Sequence, residues 1–133
     1  MDHITIIRLK KPRSNEINEE LQWLGASLGL FNLRDKDKSC FRIFIELIKN
    51  ARIRDEPLTS DQIAYRLNLT RGTVIHHVNK LMNAGIVEKE GNRGYNLRTN
   101  KLSELIEELQ KDMTRNFEDL KRVAEGVDRK LKK

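Results

Sequence analysis

The sequence predicts a mainly α-helical fold with one small β-hairpin. Between residues 59 and 98, two short helical patterns joined by a tight turn precede two strand patterns around a glycine-flanked loop. From residue 101 onwards the chain has no proline and one glycine, and its apolar residues recur at helical spacing. The composition, with 38% hydrophobic, 5% aromatic and 35% charged residues, is typical of a soluble helical chain with a modest core.

Length and charge limit the possible classes of protein. The 133 residues suffice for one domain with extensions, and no apolar run is long enough to cross a membrane. The first thirty residues lack the order of a signal peptide, and a single cysteine, Cys40, cannot form an internal disulfide. We therefore expect a cytoplasmic protein in which Cys40 is buried. The net charge of +6 permits nucleic-acid binding without proving it.

The N-terminal part divides into two segments. Residues 1–13 begin with isoleucines and end with basic residues, which predicts a basic arm or a short strand. Residues 14–36 are predicted to form an N-terminal helix and a loop, with Ser14 or Asn15 as the helix cap. The apolar pattern of this helix does not show whether the helix packs on its own domain or on a partner. The apolar stripe of this helix comprises Ile17, Leu21, Leu24 and Leu28.

Residues 37–99 are predicted to form one compact domain. Asp37 is expected to cap a core helix over residues 38–51, whose apolar face is broad. Pro57 ends this stretch, because the residue before a proline is pushed out of the helical region. Leu58 is then expected to form a short strand.

Two helices separated by a tight turn follow. Thr59 and Gln62 have the spacing of a capping box, and Asn68 can adopt the left-handed conformation that closes the first helix. Leu69 fills the turn and Thr70 caps the second helix. Helices of about eight and fourteen residues with a turn of about three predict a helix-turn-helix.

The outward face of the second helix contains no acidic residue. Such a face suits a surface that approaches phosphates and donates hydrogen bonds to base edges. His76 and His77 are adjacent and point about 100° apart, so they cannot grip one metal ion. For His77, partial burial beside the hairpin is as good an interpretation as hydrogen bonds to bases or phosphates. The helix residues predicted to contact DNA are Thr70, Arg71, Gly72, Thr73, His76, His77, Asn79 and Lys80.

A β-hairpin is predicted after Gly85, which is expected to end the second helix. Its strands cover residues 86–90 and 95–98, and glycines at both ends of the loop supply positive φ angles. Asn92 and Arg93 at the tip are predicted to reach a neighbouring groove or phosphate of DNA. The apolar face of the second strand, Tyr95 and Leu97, is expected to fix the hairpin to the core.

Residues 100–133 are predicted to form one long helix, capped by Thr99 or Asn100 and roughly 45 Å long. Because this length exceeds the width of a small domain, the outer part needs a partner, and a second copy is the simplest one. The alternative is that the helix folds back along residues 17–28. The predicted dimerisation stripe consists of Leu102, Ile106, Leu109, Met113, Phe117, Leu120, Ala124, Val127 and Leu131.

The stretch LTSDQIAYRLNLTRGTVIHHVNKLMNAGIVEKE, followed by GNRGYNLR, resembles the winged helix-turn-helix regulators of the bacterial and archaeal ArsR and MarR type. The resemblance covers about 40 of 133 residues. It implies that residues 71–84 lie in the major groove, that the loop at Arg93 is the wing, and that the terminal helices dimerise. ArsR metal sensors carry clustered cysteines, whereas this chain has only Cys40, so we predict no metal site and no cofactor.

These observations favour a sequence-specific, double-stranded DNA-binding transcriptional regulator that acts as a homodimer on a near-palindromic operator. One alternative is a winged-helix interaction module in a larger assembly, and another is a nonspecific DNA-packaging protein. We do not expect an enzyme, because no phosphate-binding loop, nucleophile elbow or metalloprotease motif occurs. The sequence identifies neither an operator nor a small-molecule effector.

Overall fold

The structure is a computed structural model and describes residues 4–30, 38–53 and 56–132. The predicted fold class, mainly α-helical with a two-stranded hairpin and a long C-terminal helix, is confirmed. No helix within the described ranges is long and apolar enough to span a membrane. The elements are α1 (Ile17–Ser27), α2 (Ser39–Ile53), α3 (Ser60–Leu67), α4 (Arg71–Asn83), β1 (Val87–Lys89), β2 (Tyr95–Leu97) and α5 (Leu102–Leu131).

The N-terminal segment lies along α1. The backbone N–H of Ile7 donates to the carbonyl oxygen of Ser27 at 2.7 Å. The indole N–H of Trp23 donates to the carbonyl oxygen of Leu9 at 3.4 Å. Residues 4–13 form neither a helix nor a strand, so of the two predicted alternatives, a basic arm and a short strand, the short strand is not formed there. After α1, Leu28 and Leu30 are buried in the core of this chain, which places the end of the helix on its own domain.

Two details of the α1 prediction are wrong. Glu16 occupies the N-cap position without a side-chain cap, and the hydroxyl oxygen of Ser14 accepts from the backbone N–H of Glu16 at 2.9 Å. Ile17 is 72% exposed, so the predicted apolar stripe is not buried along its whole length. The helix therefore begins two residues later than a Ser14 cap would give and one residue later than an Asn15 cap would give.

Helix α2 is the centre of the hydrophobic core. Ile43, Phe44 and Leu47 are fully buried, and the core continues into α3, α4 and the hairpin. Cys40 is buried as predicted. The proposed cap Asp37 lies outside the described residues.

The local signals of the helix-turn-helix prediction are present in the structure. The backbone N–H of Gln62 donates to the hydroxyl of Thr59 at 3.1 Å, and the N–H of Thr59 donates to the side-chain oxygen of Gln62 at 2.9 Å. Asn68 has a φ of 55° and ends α3, as predicted. The hydroxyl of Thr70 accepts from the backbone N–H of Thr73 at 3.1 Å and caps α4. These contacts fix where α3 begins and ends and where α4 begins.

The hairpin is held against the body of the domain by a third short strand segment. Leu58 and Tyr95 exchange two backbone hydrogen bonds, of 2.9 and 2.7 Å, so the predicted strand at Leu58 is confirmed. Gly94 has a φ of 126°, and a Cβ atom there would lie 2.4 Å from the carbonyl oxygen of Leu58. Only glycine allows this close approach. Tyr95 and Leu97 are both buried, which confirms that they pin the hairpin to the core.

Helix α5 starts on the core and ends away from it. Its N-cap is Lys101, without a side-chain cap, so the Thr99 or Asn100 cap is wrong; the Thr99 hydroxyl donates to the Lys101 carbonyl at 2.8 Å. Leu105 and Leu109 are buried in the core of the same chain, and Leu102 packs against it. The prediction that Leu102 and Leu109 belong to a dimer surface is wrong, because both side chains pack within the chain.

The outer half of α5 does not fold back on α1. Phe117, Leu120 and Leu131 are 64%, 63% and 77% exposed, and Ala124 and Val127 are exposed as well. Ile106 is 39% exposed and Met113 is half-buried, so they mark the transition from the core-bound to the exposed part.

Candidate nucleic-acid interface

The polar face of α4 is open to solvent along its length. Arg71, His76, Asn79 and Lys80 are exposed, whereas His77 is half-buried. The rings of His76 and His77 meet edge to face with centroids 5.1 Å apart. Within the described ranges, no group of three or more histidine, cysteine, aspartate or glutamate side chains comes together as a metal site would require.

The first turn of α4 presents hydrogen-bond donors. The hydroxyl of Thr70 donates to the hydroxyl oxygen of Thr73 at 2.8 Å, which leaves the Thr73 proton available to an outside acceptor. No atom lies within 4 Å of the position that a Cβ at Gly72 would occupy. Packing therefore does not require a glycine here, and glycine is unfavourable within a helix, although less so in the first turn. A close backbone approach by an external partner would account for it.

Two arginines of the predicted surface are paired with carboxylates. The Nε of Arg71 lies 3.6 Å from Asp61 of α3, and the side chains are 69% and 76% exposed. The Nη1 of Arg93 lies 3.7 Å from Glu90 across the hairpin loop. Exposed ion pairs of this kind contribute roughly 0 to 1 kcal/mol, so phosphate can displace them. Sequence reasoning missed Asp61, because it lies on the other helix of the pair.

The N-terminal segment forms one wall beside the polar face of α4. A groove of about 610 Å³ separates Ile4, Thr5 and residues 28–30 from α4. Its α4 wall includes His76, Asn79, Lys80 and Asn83. The sequence did not predict this neighbour, which places residues 4–5 at the edge of the predicted DNA surface.

Arg98 connects the end of α4 to α5. Its Nη1 donates to the carboxylate of Asp112 at 2.6 Å and to the carbonyl oxygen of Gly85 at 3.3 Å. Glu108 lies 3.5 Å from Nη2, and Arg115 also contacts Asp112. The hydrogen bond from Arg98 lowers the pKa of Asp112 below its usual range, and the same bond raises the pKa of Arg98. The ion pair thus holds α5 at a fixed position relative to α4.

The order of these elements defines a winged helix-turn-helix domain. Two helices joined by a three-residue turn are followed by an antiparallel hairpin whose loop is exposed. The family model described as "Bacterial regulatory protein, arsR family" matches residues 52–89, which include α3, α4 and β1. This part of the chain is therefore similar to the winged helix-turn-helix of the ArsR type.

The family match supports a DNA-binding transcriptional regulator and points to a binding role rather than a catalytic one. The match ends before the wing loop and does not include α1 or α5. Comparisons of the chain with curated proteins and with solved structures gave no significant match.

Proposed function

We propose that this protein is a sequence-specific, double-stranded DNA-binding transcriptional regulator that acts as a homodimer on a near-palindromic operator. The observation that carries the proposal is the exposed face of α4, which holds basic and amide side chains and no carboxylate of its own. A helix of this kind fits the major groove, where such side chains can donate hydrogen bonds to base edges.

Different parts of the surface have different roles in this proposal. His76, Asn79 and Lys80 lie along the middle of α4 and would read base edges. The capped first turn, Thr70 to Thr73, presents backbone amides at the positive end of the helix dipole and would hold a phosphate. Asn92 and Arg93 at the exposed wing loop would contact the flanking backbone or groove. His77 is half-buried, so we assign it to the support of α4 rather than to a base.

The direct test is a fluorescence-anisotropy titration with duplexes selected from random DNA at ~150 mM salt. We expect a near-palindromic consensus that binds with Kd on the order of 10⁻⁸ M or tighter, and at least 10³-fold above random duplex. Affinity no better than that for random duplex would refute sequence-specific regulation.

Substitution of Lys80 with alanine should weaken operator binding by roughly 1 to 3 kcal/mol, because a base contact is lost. Lys49, which is exposed on α2, offers a control with the same change of charge. Lys49→Ala should shift the affinity much less. Equal affinities of Lys80→Ala and wild type would contradict the base-reading role.

Asp61→Asn should increase DNA affinity about 2- to 10-fold at low salt, because it removes a carboxylate from the phosphate-facing surface and releases Arg71. The gain should shrink as salt is raised. Asp128→Asn, an exposed site on α5, is the matched control and should change little. An Asp61→Asn variant that binds like wild type at every salt concentration would mean that Arg71 does not contact phosphate.

A second candidate function is a winged-helix interaction module in a larger assembly, and the exposed apolar side chains of α5 favour it. Light scattering on the purified protein separates the two candidates. A stable dimer supports the regulator, whereas a monomer that associates only with a different protein supports the interaction module.

A further inference from the structure

The outer part of α5 carries an apolar stripe that no part of the described chain covers. We define the outer seam as Met113, Phe117, Leu120, Ala124, Val127 and Leu131. Four of these side chains, those of Phe117, Leu120, Val127 and Leu131, are between 47% and 77% exposed. The outer seam continues the same helix face that is buried on the core at Leu105 and Leu109. A stripe of this kind on a soluble protein indicates an interaction surface.

We propose that the outer seam packs antiparallel against the outer seam of a second copy, with the twofold axis beside Arg122. The proposal rests on the proposed homodimer and adds the direction of pairing. The spacing of the outer seam, 4, 3, 4, 3 and 4 residues, is the same when read from either end. An antiparallel arrangement about Arg122 therefore pairs every position, with Met113 opposite Leu131, Phe117 opposite Val127 and Leu120 opposite Ala124.

Side-chain volume distinguishes the two directions. In the antiparallel arrangement Phe117 faces the smaller Val127, and Leu120 faces the smaller Ala124, so the layers have similar volumes. A parallel arrangement in register would place Phe117 against its own copy and Ala124 against its own copy. The first of these layers would be overfilled and the second would leave a gap. Val123, which is 68% exposed, lies next to Ala124 and would add apolar area at the edge of the interface.

The antiparallel arrangement sets the distance between the two domains. Leu109, the last residue of α5 in the hydrophobic core, precedes Arg122 by 13 residues. The two copies of Leu109 would then be about 39 Å apart along the helix axis at 1.5 Å per residue.

Disulfide cross-linking tests the direction. Met113→Cys combined with Leu131→Cys should form a covalent dimer on mild oxidation, and either single variant should remain uncross-linked. Within one chain the two positions are 18 residues apart on one helix, or about 27 Å, so they cannot join intramolecularly. Wild type, which retains buried Cys40, is the control for background cross-linking. Efficient cross-linking of the Met113→Cys variant alone would overturn the proposal.

A distance measurement avoids substitutions in the seam. A spin label attached through Lys111→Cys, an exposed position, should give a distance of about 33 Å between the two labels by pulsed electron paramagnetic resonance. A parallel dimer should give less than about 20 Å, since identical positions then lie side by side. A short distance would overturn the antiparallel direction, and a monomeric protein would overturn the pairing altogether.

DNA binding of the same variants separates this proposal from the proposed function. A dimer that binds its operator specifically but gives the short label distance would overturn only the direction of pairing. Loss of sequence specificity in an antiparallel dimer would refute the regulator and leave the pairing intact.

Discussion

Replacement of Asp112 with alanine is expected to lower the free energy of unfolding by about 3 kcal/mol, near the lower end of the range for breaking a buried ion pair. The Asp112 side chain is 9% exposed and lies 2.6 Å from Arg98, whose own side chain is 20% exposed. The variant would leave the Arg98 guanidinium partly buried, with the more exposed Glu108 as its remaining acidic partner. Urea unfolding at pH 7 measures the loss. Asp128→Ala, at an exposed site on α5, should change the stability by less than about 0.5 kcal/mol.

The same ion pair gives the stability a defined pH dependence. The pKa of Asp112 is lowered in the folded protein, chiefly by the hydrogen bond from Arg98. Its contribution is therefore fully present above the unfolded pKa of about 3.9, and it is lost as the pH falls through the lower folded pKa. Asp112→Asn should flatten the stability curve in this acidic range. An Asp112→Asn variant with the same acidic slope as wild type would contradict the assignment.

Replacement of Leu120 with glutamate should convert the proposed dimer into a monomer. Leu120 is 63% exposed in the single chain, so the change disturbs no core contact and should leave the fold intact. Burying a carboxylate at the centre of an apolar interface is costly, and the dimer should not tolerate it. Because one winged domain then binds alone, affinity for a palindromic site should fall by roughly 10² to 10⁴-fold.

The measurement combines light scattering with titration of a full operator and a single half-site. Arg129→Gln changes the net charge by the same amount on an exposed position outside the outer seam, and this control should stay dimeric. Half-site affinity should be nearly equal in wild type and Leu120→Glu. A Leu120→Glu protein that remains a dimer would show that the seam is not the interface.

The winged domain could be predicted in detail because its boundaries are encoded locally. The Thr59 and Thr70 caps, the left-handed Asn68 and Gly85, and the hairpin glycines each act within a few residues of the chain. For the same reason the exposed polar face of α4 could be identified from helical spacing alone.

The contacts that sequence reasoning missed connect distant segments. The apolar stripe of α5 is continuous, so its periodicity alone could not show that Leu105 and Leu109 pack on the core while Phe117 and Leu120 remain exposed. Arg98 and Asp112 were unremarkable as isolated charges, since only the packing of α5 brings them together. The Asp61 contact with Arg71 depends likewise on the angle between α3 and α4.

The contacts of Arg98 with Gly85 and Asp112 fix both the position and the rotation of α5 relative to α4. In the proposed dimer, α5 would therefore determine the distance and the angle between the two reading helices. Arg98 donates hydrogen bonds both to Asp112 of α5 and to the Gly85 carbonyl oxygen that follows α4, so a change in helix length beyond Asp112 cannot be absorbed there as free rotation. In the antiparallel dimer, seven residues inserted after Met113 would keep the seam in approximate phase and move each winged domain outward by about 10 Å. The two winged domains would then lie about 20 Å further apart, or about 0.6 of a DNA turn, so the two reading helices would no longer meet half-sites one turn apart on the same side of the duplex. The number of α5 residues between the core and the twofold axis would thus determine the spacing of the two half-sites in the operator.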